Sequence, residues 1–158
     1  VKSIADLKKT IESGAITKLP GFGEKKAAAI TKGIEFLEKS GNDVAWWFKN
    51  GDRDATFFAV PYEDGKAKSP FYVDFVVMMK NGRIGLFDPH GIHLADFAAK
   101  SDGLREYIAR LKKKGVKLFG GVVANTDPQH PGGQWMVYHG KGKVAHEGDW
   151  TGWKRVEL

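Results

Sequence analysis

Three residues near the middle of the chain have the types and spacing for phosphodiester chemistry. Asp74 stands in the run FYVDFVVMM, Asp88 ends the run RIGLFD, and His90 follows two residues later. Residues two apart on an extended strand share a face, so Asp88 and His90 can address one point. A hairpin between the two runs can bring Asp74 there too. Two carboxylates are the minimum set for holding a divalent cation that activates water and offsets charge on phosphoryl oxygens. An ordinary imidazole titrates near about 6.5, so neutral His90 is available as a metal ligand or a base. Asp74, Asp88 and His90 would form a two-carboxylate, one-imidazole set, which suits manganese or another transition ion better than a pure oxygen site would. The competing reading is structural: each aspartate ends a strand or pairs with a lysine.

A second feature points at phosphate without catalysis. Leu19-Pro20-Gly21-Phe22-Gly23 lies between two helical stretches, and Glu24, Lys25 and Lys26 open the second. Two glycines let the backbone approach a ligand closely, and the free amides of the following helix start face whatever anion arrives. Gly21, Gly23, Lys25 and Lys26 would then contact a DNA backbone in a sequence-tolerant, salt-weakened way. A plain interhelical turn is the alternative.

The elements that must position these residues are legible in outline. SIADLKKTIES and EKKAAAITKGIEFLEKS carry apolar residues at helical spacing, with Ala28, Ile30, Ile34 and Leu37 toward a core. From residue 44 the texture turns to strands: VAWWFKN, DATFFAVPY, PFYVDFVVMM and RIGLFD, the last two joined at Asn81-Gly82. An amphipathic, increasingly basic helix is predicted from about Leu94 to Lys114, followed by strands VKLFGGVVAN and QWMVYHG, while the tail DWTGWKRVEL is too short to assign. Trp46, Trp47, Phe57 and Phe58 fall in consecutive apolar runs and are expected in the strand core. The sum is an α/β chain, an α+β mixed sheet with helices packed on it, divided as 1–41 and 42–158.

Composition sets the outer limits. The chain has 158 residues, 42% hydrophobic and 28% charged, with a formal charge of +6. That profile is globular, and its cationic balance attracts polyanions such as DNA. With no cysteine, thiolate zinc sites, disulfides and cysteine nucleophiles are excluded. No apolar run reaches the about 18 residues of a membrane span and no secretory leader is visible, so cytoplasmic residence and no membrane partner are expected. The opening Val1 is what a piece of something longer would show, with further domains as expected partners.

Two resemblances sharpen these expectations. ITKLPGFGEKKAAAI resembles the helix-hairpin-helix of DNA-handling enzymes, and residues 1–40 resemble in particular that region of bacterial family X DNA polymerases. The resemblance implies DNA-backbone contacts by Gly21, Gly23, Lys25 and Lys26; no polymerase palm fits in what remains. Residues 34–158, through VDF and FDPHG to the terminal WKRVEL, are similar to the C-terminal nuclease-type domain of type III restriction-subunit and helicase-like proteins. That likeness implies a restriction-endonuclease-like core, a PD-(D/E)XK site with Asp74 and Asp88 as metal-binding carboxylates, and a Mg2+ or Mn2+ cofactor. It implies a DNA-binding, metal-dependent nuclease within a larger helicase or restriction-type protein; the alternative is a catalytically inactive nuclease-fold DNA-binding module, and a scaffold for an acidic protein partner stands third.

The departure from the motif is chemical. His90 stands where the motif has lysine, whose ammonium steadies attacking water and phosphate charge, and Lys80 or Lys100 are the candidates to replace it. Glu35 or Glu38 could complete a metal site, and Arg105, Arg110, Lys112, Lys113, Lys114 and Lys117 could form a backbone track. Solvated helix faces explain both more cheaply. His93, His130, His139 and His146 lack ligand spacing and are expected at the surface.

Overall fold

The computed structural model describes residues 4–18, 23–38, 43–51, 56–65, 67–127 and 133–158. The chain forms two compact units, Val1–Asn42 and Asp43–Leu158. In the first, α1 (Ile4–Glu12) is followed by a 3-10 turn at Ala15–Lys18 and by α2 (Glu24–Leu37). Gly14, at φ +70°, ends α1. Ile16 of the 3-10 turn is buried, and so are Ala27, Ile30, Ile34 and Leu37, as the helical spacing of α2 requires.

The second unit is a six-stranded mixed sheet in the order β1-β4-β5-β6-β7-β8, with a separate hairpin of β2 and β3. Its strands are β1 (Val44–Lys49), β2 (Val60–Asp64), β3 (Ala67–Phe71), β4 (Phe75–Met79), β5 (Ile84–Pro89), β6 (Leu118–Asn125), β7 (Trp135–Tyr138) and β8 (Trp153–Arg155). Helix α3 (Phe97–Lys113) connects β5 to β6, and those two strands are parallel, because a crossover helix returns the chain to the starting edge. Every other pairing is antiparallel. The mixed sheet with helices is as the sequence predicts. Among the described residues no helix is long and apolar enough to cross a membrane.

Two sequence-predicted strands are shorter than their apolar runs. Of the described part of DATFFAVPY, 56–62, only Val60 onward is strand, in β2, and PFYVDFVVMM is broken at 72–74 into β3 and β4. The break lets one run serve two sheets: Phe71 pairs with Val60 in the hairpin, whereas Phe75 pairs with Lys49 and Phe87 in the main sheet. Asn50 stabilises the junction, its side-chain amide donating to the carbonyls of Phe58 and Val73. Gly82, at φ +78°, makes the predicted turn between β4 and β5.

Alternation along the strands decides what α3 covers. Leu86 of β5 and Val76 of β4 pack with Leu104 and Ile108 of α3 and with Val60, Phe71 and Val73 of the hairpin side. Gly120 permits the close pairing of β6 with β5: a β-carbon there would collide with the Leu86 carbonyl, and its φ is +112°. A second cluster of Phe97, Val122, Tyr138 and Trp153 continues the same face over β6, β7 and β8 against the start of α3.

Candidate functional site

Asp88 lies two residues beyond Leu86, so it projects from the α3-covered face where β5 runs out. β4 runs antiparallel to β5 with Phe75 opposite Phe87, which brings Asp74, one residue before β4, to the same end of the sheet. The two are joined directly, with the Asp74 amide donating to Asp88 Oδ1 at 3.1 Å. The positions are neighbours at this end of the sheet, but it is the Asp74 backbone amide that reaches Asp88, while the Asp74 carboxylate turns to Lys49. The chemistry of the site differs from the sequence expectation.

His90 lies between two carboxylates. Its Nδ1 is 3.4 Å from Asp88 Oδ2 and its Nε2 is 2.9 Å from Asp96 Oδ1. Asp96 Oδ2 in turn takes an ion pair from Lys100 at 2.8 Å, one helical turn on. Burial opposes charge on the imidazole, yet the hydrogen bonds to Asp88 and Asp96 outweigh it and raise the pKa above its ordinary value. The Lys100 hydrogen bond, against some burial and helped by His90, holds the Asp96 carboxyl down to about 2. A neutral imidazole has one N–H and would turn a lone pair toward one of the carboxylates; the imidazolium donates to both. His90 is thus a bridge between acids.

In this arrangement the three expected metal ligands have other partners. Both ring nitrogens of His90 are engaged, so it offers no lone pair as ligand or base while the bridge holds. Asp88 is 4% exposed and already accepts the Asp74 amide. Asp74 Oδ1 is 2.6 Å from the Lys49 ammonium. Among the described residues no group of three or more His, Asp or Glu side chains is arranged to hold a metal ion. As a three-ligand set, Asp74, Asp88 and His90 do not fit Mg2+ or Mn2+ in this arrangement.

The structure also sorts the other candidates. Lys100 joins the cluster through Asp96, whereas Lys80 sits at the opposite end of β4 near Asp43, 3.7 Å away. Lys49 was missed in the sequence, because nothing local marks the last residue of β1 as the neighbour of a residue 25 positions on; the parity of the β1 and β4 pairing was the only available signal. Asp96 was missed for the same reason. Arg105 is taken up structurally, paired with Asp102 at 2.9 Å and donating to the Gly140 carbonyl, and so leaves the proposed backbone track. Arg110, Lys112, Lys113, Lys114 and Lys117 are exposed. The His139 imidazole is held below its ordinary value by desolvation first and then by Lys154 and Lys112. His93, His139 and His146 are exposed as expected, and His130 lies outside the described residues.

The aromatic expectation is overturned in part. Trp47 is buried, but Trp46 is 48% exposed, because β1 is an edge strand and the covered core ends before it, and Phe57, outside any strand, is 42% exposed. In the first unit, Gly23 is exposed and precedes the first turn of α2, its carbonyl accepting from Ala27. Gly21 and the side chains of Lys25, Lys26 and Ala28 lie outside the described residues. Glu38 is paired with Lys8, and Glu35 is exposed.

The comparisons with known proteins give one relationship. The model of the YagJ family matches residues 16–127, well over half of the chain, and no curated protein or solved structure matches. The chain belongs to the YagJ family, and the matched span crosses from the first unit into the second.

Proposed function

We propose that this member of the YagJ family is a nucleic-acid-binding module on a nuclease-like sheet, in which the ancestral metal-site position has become an internal charge network. Adjacent antiparallel strands that carry Asp74 and Asp88 to one end of the sheet favour the restriction-endonuclease-like reading of the core. The observation that carries the binding reading is the contrast in charge use. The acids of the cluster are neutralised by Lys49, His90 and Lys100, while residues 110–117 expose five cations without a carboxylate. Such a surface attracts phosphates without reading bases. The helix-hairpin-helix resemblance, with Gly21, Gly23, Lys25 and Lys26, supports a second DNA-backbone contact in the first unit.

A salt titration of duplex binding tests the reading. Full-length protein is expected to bind random duplex DNA at low salt, and Lys112→Gln with Lys113→Gln and Lys114→Gln is expected to lower the slope of log K against log salt by about 2 to 3. No binding at low salt, or an unchanged slope, sinks it. A divalent-metal-dependent nuclease is the second reading, and one observation favours it: the Lys49 ammonium, 2.6 Å from Asp74, supplies a cation beside the carboxylate pair, as the lysine of the motif would. It requires His90 to leave its bridge. Cleavage with Mg2+ or Mn2+ that is lost in Asp74→Asn and in Lys49→Met would establish it.

A further inference from the structure

The exposed large hydrophobic residues are not scattered. Among the described residues they are Trp46, Phe48, Phe57, Leu94 and Val116, and the three aromatic ones gather along and just beyond β1. Trp46 and Phe48 are two apart on one strand and so share a face; their rings lie 6.2 Å apart with planes inclined by only 25°. The register fixes which face this is. Phe48 pairs with Val76, Val76 with Leu86, and Asp88 is two residues past Leu86, so the ring pair stands on the same side of the sheet as the charge cluster. Two strand spacings, about 10 Å, separate Phe48 from Leu86 laterally. Past the end of the strand, the ring of Phe57 lies over Gly51, close enough that any β-carbon there would strike it.

Lysines stand at both ends of this strand. Lys49, its last residue, is engaged by Asp74 at 2.6 Å, whereas Lys80, which donates its amide to the carbonyl of Asp43 just before Val44, keeps a side chain 63% exposed, 3.7 Å from the Asp43 carboxylate. Flat rings that are nearly half exposed, on an edge strand of a chain of net charge +6 with the exposed Lys80 at one end, match what a nucleic-acid strand offers when its bases are unpaired: π-faces for the rings and phosphates for the cationic surface. A second copy of this chain is the less suitable occupant, because two molecules of charge +6 repel one another.

We propose that Trp46 and Phe48, with Phe57 beyond the strand end, form a stacking platform for the unpaired bases of a single-stranded nucleic acid. The proposal rests on the nucleic-acid reading above and names the form of the ligand: a strand that is single where it crosses β1. Phosphate contacts elsewhere on the basic surface are compatible with duplex on either side of that segment.

The test compares labelled oligothymidine with a duplex of equal length, binding to the full chain at low salt by fluorescence anisotropy. Trp46→Ala with Phe48→Ala is expected to weaken single-strand binding by about tenfold or more, at about a stacking contact per ring, and to leave duplex binding unchanged. Trp46→Phe with Phe48→Tyr keeps both π-faces and is expected to restore single-strand affinity. Oligothymidine should also quench tryptophan emission, with less quenching in Trp46→Phe; this second readout decides the matter should the alanine variant fail to fold. Undiminished single-strand affinity, undiminished quenching, or a dimer in sedimentation that the alanines dissolve each overturns the platform. Failure to bind either strand form at low salt overturns the nucleic-acid reading instead.

Discussion

The two ends of α3 carry similar densities of charge and use them in opposite ways. At the N-terminal end, Asp96 bridges His90 and Lys100, and His90 reaches on to Asp88 beneath the sheet edge. At the C-terminal end, Arg110, Lys112, Lys113 and Lys114 face solvent, favoured there by the helix macrodipole. The first arrangement compensates charge inside the protein and contributes to its integrity. The second leaves charge for something outside. A buried carboxylate must find partners or lose its charge, whereas a lysine at a helix end keeps full hydration and costs the fold almost nothing.

The largest expected effect breaks the N-terminal network. His90→Ala leaves Asp88 nearly buried without its imidazolium, and the second unit is expected to lose about 3 kcal/mol of stability in denaturant titration. A loss below about 1 kcal/mol would mean that the bridge is incidental. The same network gives a pH signature. His90 has a folded pKa above its ordinary 6.5, so its contribution is complete below that value and is lost as pH rises through the raised one. Asp96, at about 2 against an ordinary 3.8, contributes above 3.8 and loses that as pH falls toward 2. Stability should therefore peak between about pH 4 and 6.5, and His90→Gln should flatten the alkaline limb; a limb that persists in that variant assigns it to another group.

Smaller effects sharpen the contrast. Lys49→Met removes the partner of the half-exposed Asp74 and is expected to cost about 1 kcal/mol or less, since solvent screens a pair at that exposure. A much larger cost would extend the interior network to the strand edge. At the far end of α3, replacing Lys112, Lys113 and Lys114 by glutamine should move stability by no more than about 0.5 kcal/mol. A larger loss in that triple variant would show that the basic tip serves the fold and would remove the contrast between the two ends.

Some of this was legible before any coordinates. The helical spacing of EKKAAAITKGIEFLEKS and the Asn81-Gly82 turn correspond to α2 and the β4–β5 turn, because both signals are local. The pairing of Asp74 with Asp88 was legible too, since a hairpin at a known turn fixes which residues lie at its open end. What β1 exposes was not. Trp46-Trp47-Phe48 reads as uniform core in sequence, and only its position at the sheet edge divides it into a buried Trp47 and exposed neighbours. The run PFYVDFVVMM likewise conceals that two sheets share it.

The sequence by itself determined the class of fold, the cationic balance, the exclusion of thiolate chemistry and the neighbouring positions of Asp74, Asp88 and His90 at one end of a hairpin. Those follow from periodicity, composition and short-range turns, which are properties of neighbouring residues. Tertiary structure alone decided what that placement amounts to. Lys49 and Asp96 come from a strand 25 positions before Asp74 and from the residue that opens α3, and it is their arrival that draws Asp74 to an ammonium and turns His90 from a ligand into a bridge. The protonation of an imidazole depends on what surrounds it in space, and no local pattern records that.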